Sequence, residues 1–140
     1  MLKFFCDGSS RFGEDGERRG FIGIVGYRHS KVIAEHAACV GLATSNEAEY
    51  YAAIGALVIA KRFGTRCVQI VSDSQLVVRQ LNGKYTIAER RLAKLADTFQ
   101  NLADDFDRVT IEYGTNARAH ILATSAKHVE FIDPSAKKNK

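Results

Sequence analysis

The feature that most constrains this chain is a change of hydrophobic period near residue 43. Before it, apolar residues come in strand-like runs punctuated by glycine: Leu2 to Asp7, Gly20 to Arg28 and Lys31 to Val40. About two residues separate the last two runs, a spacing suited to a tight hairpin. Gly8-Ser9-Ser10 is expected to break the first run, leaving residues 11–19 as a polar loop. After the change, Asn46 to Phe63 reads as a long alanine-rich helix that ends at Gly64, with Thr44 as its N-cap. Val68 to Asp73 reads as a buried strand, Gln75–Leu81 and Ala88–Leu102 as helices, Arg108–Tyr113 as a strand and Ala117–His128 as a last helix. Hairpins followed by β-α-β units predict an α/β domain with a mixed sheet, part antiparallel and part parallel. Right-handed crossovers place helices on both faces. Ligands of such sheets gather at the carboxyl ends of the parallel strands.

The chain of 140 residues fits a single domain, expected over residues 1–133. A domain of this size buries roughly two-thirds of its unfolded surface, enough for a core without staples. Pro134 opens a basic stretch, 134–140, that is expected to be disordered. Its three lysines account for most of the net charge of +4, so charge by itself does not select a polyanionic partner. With 46% hydrophobic and 26% charged residues the composition excludes an intrinsically disordered chain. The longest uncharged apolar run, Tyr50 to Ala60, is far short of the ~20 residues of a membrane span. The acid at position 7 leaves no room for a secretory apolar region. Cys6, Cys39 and Cys67 all sit in apolar, strand-like contexts and are read as reduced residues of a cytoplasmic protein. His29, His36 and His128 show no ligand spacing and are read as surface residues.

Two acids, Asp7 and Asp73, each end an apolar strand. Taken singly, either serves as readily as a turn former or the cap of a following helix. Together, on strands expected to be parallel neighbours, they would repel unless a proton or cation sat between them. The stretch Thr44-Ser-Asn-Glu-Ala-Glu holds two glutamates with different prospects. Thr44 and Glu47 have capping-box spacing, which assigns Glu47 to the helix start. Glu49 lies about 200° further round the helix, on the side of Ala52, Ala53 and Ala56. A glutamate at the head of a buried alanine stripe is costly unless something positive meets it. Glu49, not Glu47, is therefore the candidate ligand.

These residues bring the chain to a known family. Asp7-Gly-Ser, Thr44-x-Asn-x-Ala-Glu-Tyr, Ser72-Asp-Ser-Gln-Leu-Val, the run 77–85 and Asn116-x-x-Ala-x-x-Leu-Ala resemble type 1 ribonuclease H, over roughly residues 2–128. The resemblance implies a ribonuclease H-like fold with five strands in the order 3-2-1-4-5, strands 1–3 antiparallel. It implies hydrolysis of the RNA strand of RNA–DNA hybrids by a monomer, with two Mg²⁺ or Mn²⁺ ions. Such hard cations take carboxylate oxygens from converging elements. The resemblance assigns Asp7, Glu49 and Asp73 to them, with Asp7 shared between the ions. Gly8, Ser9, Ser10, Asn46 and Gln75 are the expected substrate contacts beside the acids, and Thr44 the contact to a DNA-strand phosphate at the helix N-terminus.

The fourth ligand position of the family, an aspartate, is His120 here. Two readings stand: loss of the second ion, leaving a weak or inactive hybrid-binding module, or ligation by neutral imidazole, which would favour Mn²⁺ over Mg²⁺. A junction resolvase-like nuclease on the same fold is a further alternative. Tyr113-Gly-Thr115 carries no general acid or base, and the 82–90 segment is short, with Lys84, Arg90 and Arg91 as its cations, the compact form without a basic protrusion.

Overall fold

A computed structural model describes residues 1–83 and 86–126. Lys84, the expected end of the last helix at His128, the boundary at 133 and the basic tail lie outside the described residues. The elements run β1 (Leu2–Phe12), β2 (Arg18–Arg28), β3 (Lys31–Leu42), α1 (Ser45–Arg62), β4 (Cys67–Ser72), α2 (Gln75–Leu81), α3 (Arg90–Ala103), β5 (Arg108–Tyr113) and α4 (Ala117–Ser125). The sheet order is β3-β2-β1-β4-β5. β1, β2 and β3 are antiparallel, while β4 runs parallel to both β1 and β5. This is the mixed sheet and strand order expected from the sequence.

One expectation is corrected. Gly8-Ser9-Ser10 does not end β1. The strand continues in register with β2 through Ser10↔Gly20 and Arg11↔Arg19 to Phe12↔Arg18, and the loop shrinks to residues 13–17. Local glycine and serine content reads as a turn, but antiparallel pairing with a strongly apolar β2 overrides that weak local preference. The β2–β3 hairpin turns at His29 and Ser30, both with positive φ (50° and 66°), as a two-residue connection requires.

The main core lies on one face of the sheet, where Leu2, Phe4, Cys6, Ile22, Ile24, Val68 and Ile70 meet α1, α2 and α3. Alanines 48, 52, 53, 56 and 60 are all buried on α1, so the helix axis can approach the sheet closely. α3 contributes Leu92, Ala96 and Phe99, a stripe at helical spacing. Tyr50 is fully buried and donates its hydroxyl to Gln80 Oε1 at 2.6 Å, so α1 is tied to α2 without an orphaned phenol. Its hydroxyl pKa is pushed up to about 12 by burial.

The opposite face is covered by α4, which presents Ala119 and Ala123 to β2. A side chain at Gly23 would collide with the backbone of Ala119 and Ala123, so glycine is what lets α4 lie on the sheet. Asn116 caps α4 by accepting from the Ala119 amide at 2.9 Å. No disulfide joins the cysteines: Cys6 is buried, and Cys39 and Cys67 are half-buried.

Candidate active site

The parallel ladder between β1 and β4 ends at Cys6↔Ser72, while β1 runs on beside β2. Asp7 is the first residue of β1 past that end, and Asp73 the first residue after β4. The fork between a strand that stops and one that continues therefore sets two carboxylates side by side. Asp7 is 6% exposed. It pairs with Gly23, the residue on which α4 rests. His120, an exposed residue in the first turns of α4, lies with Nδ1 2.8 Å from Asp7 Oδ2. In a neutral imidazole this bond puts the proton on Nδ1 and leaves the Nε2 lone pair available.

Asp7, Asp73 and His120 offer ligand atoms that all lie within 4.8 Å of one another. They line a cavity of about 340 Å³ with Phe5, Val71 and Asn116. Glu49 approaches from the other face. The capping box at the start of α1, with the Glu47 amide donating to Thr44 Oγ1 at 3.2 Å and the Thr44 amide to Glu47 Oε1 at 2.9 Å, fixes the first turn. Gly8 then brings the turn against β1, because a side chain there would collide with the backbone of Ala48 and Glu49. Ser74, the N-cap of α2, favours the ionised form of Glu49.

The electrostatics record the crowding. Burial pushes the Asp73 carboxyl up to about 7, helped by a hydrogen bond and charge from Asp7 and by the Glu49 charge, while His120 opposes. Asp73 Oδ1 is buried and has no hydrogen-bond partner. Burial also raises the Glu49 pKa, against the hydrogen bond from Ser74 and with the Asp7 charge. The Cys6 thiol is raised by burial and by Asp73, Asp7 and Glu49, which makes it an inert core group beside the acids.

The other expected contacts surround this cluster unevenly. Ser9 Oγ is buried without a partner. Ser10 Oγ lies 2.8 Å from Ser45 Oγ and accepts from Arg18 Nε at 2.8 Å, so its hydroxyl is already engaged in tying the hairpin to α1. Gln75 is exposed at the start of α2, and Thr44 and Asn46 line a separate cavity of about 310 Å³ with Glu89 and Arg91. Two features escaped the sequence reading. Ser74 favours the charged form of Glu49, and its signal was a serine directly before a helix. Arg11, placed by the sequence in a polar loop, is turned onto α4.

Sheet order and acid cluster together define the class: an α/β domain of the ribonuclease H-like kind. A family model described as reverse transcriptase-like matches residues 15–126. The bifunctional protein Rv2228c of Mycobacterium tuberculosis is 37% identical over 111 residues, covering 74% of this chain and 30% of that protein. Ribonuclease HI of Halobacterium salinarum is 34% identical over 125 residues, covering 87% of this chain and 62% of its own length. The chain thus spans less than two-thirds of either relative. The crystal structure of the Halobacterium salinarum RNase H1 superposes with a TM-score of 0.81 at 32% identity, covering 89% of this chain and 96% of that one. LC11-RNase H1 in complex with an RNA/DNA hybrid superposes with a TM-score of 0.74 at 28% identity, covering 90% and 96%. The chain belongs to the ribonuclease H family.

Proposed function

We propose that this protein is a divalent-metal-dependent endoribonuclease that hydrolyses the RNA strand of RNA–DNA hybrids, leaving 5′-phosphate and 3′-hydroxyl ends. The observation that carries the reading is the convergence of Asp7, Asp73 and His120, whose ligand atoms lie within 4.8 Å of one another, with Asp73 Oδ1 buried and unpartnered and the Glu49 charge acting on it. A buried, unpaired carboxylate oxygen is costly, and three acids together repel. A hard cation relieves both, and carboxylate oxygens with one imidazole nitrogen suit Mg²⁺ or, better, Mn²⁺. Asp7, Glu49, Asp73 and His120 would hold two ions, with Asp7 shared. When bound, the ions make a water nucleophilic at neutral pH and neutralise charge on the departing 3′ oxygen.

The chain's own residues position and hold. Asp7 sits on a strand paired on its β2 side, so its carboxylate has little freedom. Ser74 favours the ionised form of Glu49. Gly8, Ser9, Ser10, Asn46 and Gln75 are taken as the groups that feel 2′-hydroxyls across a shallow minor groove. Thr44, at the positive end of α1, is taken to meet a DNA-strand phosphate.

A labelled RNA–DNA hybrid, duplex RNA, duplex DNA and a four-way junction, each with Mg²⁺ and with Mn²⁺, test this. Cuts confined to the RNA strand of the hybrid are expected. One observation favours a hybrid-binding module instead: His120 already engages Asp7 Oδ2. Hybrid binding with no cut under either ion would establish that reading, and a cut junction beside an intact hybrid would replace both with a resolvase.

A further inference from the structure

β1 grips α4 at two points. Near the start of the helix, His120 Nδ1 meets Asp7 Oδ2 at 2.8 Å. Four residues further along β1, on the same face by strand alternation, Arg11 reaches the other end of the helix. Its Nη1 donates to the carbonyls of Ala123 at 3.3 Å and Thr124 at 3.1 Å, and its Nη2 donates to the carbonyl of Ala126. The guanidinium lies over the buried Phe21 ring, 3.6 Å from its centroid. The last carbonyls of a helix lack intrahelical partners and carry the negative end of its dipole, so a forked cation fits them well.

The apolar part of the α4 contact sets the height of the helix rather than its place along its own axis. Gly23 allows close approach, and Ala119 and Ala123 present only methyl groups. Ser9, between Asp7 and Arg11 on the same face of β1, makes no hydrogen bond with its hydroxyl. Lengthwise, α4 is tied to the sheet towards its start by Asn116 Nδ2 donating to the Tyr27 hydroxyl at 3.3 Å, by Arg118 paired with Glu35 and by His120 on Asp7, and at its other end by Arg11 on the carbonyls. The first three hold the start of the helix, and Arg11 ties its C-terminal end.

We infer that Arg11 is a positioning residue. By tying the C-terminal carbonyls of α4 to β1, it holds the helix at the axial position from which His120 presents its imidazole to Asp7 and Asp73. This rests on the reading of His120 as a ligand. The test compares wild type, Arg11→Met and Arg11→Lys, each alone and combined with His120→Ala. Mn²⁺ affinity is measured by electron paramagnetic resonance titration without nucleic acid, and hydrogen exchange is followed across α4. Arg11→Met, which keeps the stem over Phe21 but removes every donor, is expected to weaken Mn²⁺ binding about tenfold, the lower end for groups that orient a ligand. Arg11→Lys should recover part of that loss. In the His120→Ala background Arg11→Met should change affinity by less than about twofold, since residues acting through one another are not additive.

Equal weakening in both backgrounds would mark Arg11 as merely structural and overturn the inference. So would unchanged affinity in Arg11→Met. If His120→Ala alone leaves Mn²⁺ binding intact, it is the ligand assignment that fails, a separate result that also removes the inference. Should Arg11→Met not fold, the same comparison with Arg11→Lys decides.

Discussion

Asp73→Asn replaces a carboxylate by an amide of nearly the same shape at the point where β4 ends. In the folded protein the Asp73 carboxyl is pushed up to about 7, against an ordinary value of 3.8. Between those values the folded chain holds a proton that the unfolded chain has released. The stabilisation from that proton is complete below pH 3.8 and is lost as pH rises through about 7. At about 1.36 kcal/mol per tenfold change in proton affinity, the full gap sets an upper bound of about 4 kcal/mol. The side chain is only partly buried, so solvent screening reduces this, and we expect about 1–2 kcal/mol. The amide carries no charge to repel Asp7 and Glu49. The metal-free Asp73→Asn variant should therefore be more stable than wild type at pH 8, with a Tm higher by about 4–8 °C for a chain of this length, and the difference should shrink towards pH 4. Thermal melts in a chelating buffer across that range measure it. Added Mn²⁺ should narrow the gap by stabilising wild type more strongly than the variant. A variant that melts at or below the wild-type temperature at pH 8 would show that the carboxylates are not crowded as described.

On the proposed function, Asp7→Asn removes a carboxylate charge without removing packing; hybrid cleavage should fall by at least about a thousandfold, roughly 4 kcal/mol of barrier, while the circular dichroism spectrum stays that of wild type. His120→Asp should shift the preference from Mn²⁺ towards Mg²⁺, read from cleavage rates with each ion; an unchanged profile would mean the side chain touches neither. Gly8→Ala pushes β1 away from the start of α1 and should cost about 1–3 kcal/mol in urea denaturation, with a further loss of activity as Asp7 and Glu49 separate. Tyr50→Phe leaves Gln80 Oε1 without its donor and should cost about 1 kcal/mol, with little effect on metal binding.

The acids were legible in the sequence because each carries its own local argument: Asp7 and Asp73 close apolar strands, and Glu49 heads a buried alanine stripe. Thr44 and Glu47 were legible for the same reason, since a capping box is a relation over three residues. The continuation of β1 past Gly8 was not, because it depends on which strand lies alongside. Arg11 was less legible still. Its partners are more than a hundred residues away in sequence, and they are backbone carbonyls, which leave no trace in residue identity. The pairing of His120 with Asp7 stands between these cases: the motif located the histidine, but only the seating of α4 on Gly23 brings the ring to the acid.

Because β4 stops while β1 goes on, the interior of this sheet contains a short length of strand with a neighbour on one side only. An exposed margin of this kind elsewhere invites another chain to add itself. Here helices wall the notch from above and below, with α1 pressed on Gly8 and α4 on Gly23. Main-chain amides and carbonyls on the unpaired side of β1 can be satisfied there by small polar guests, water among them.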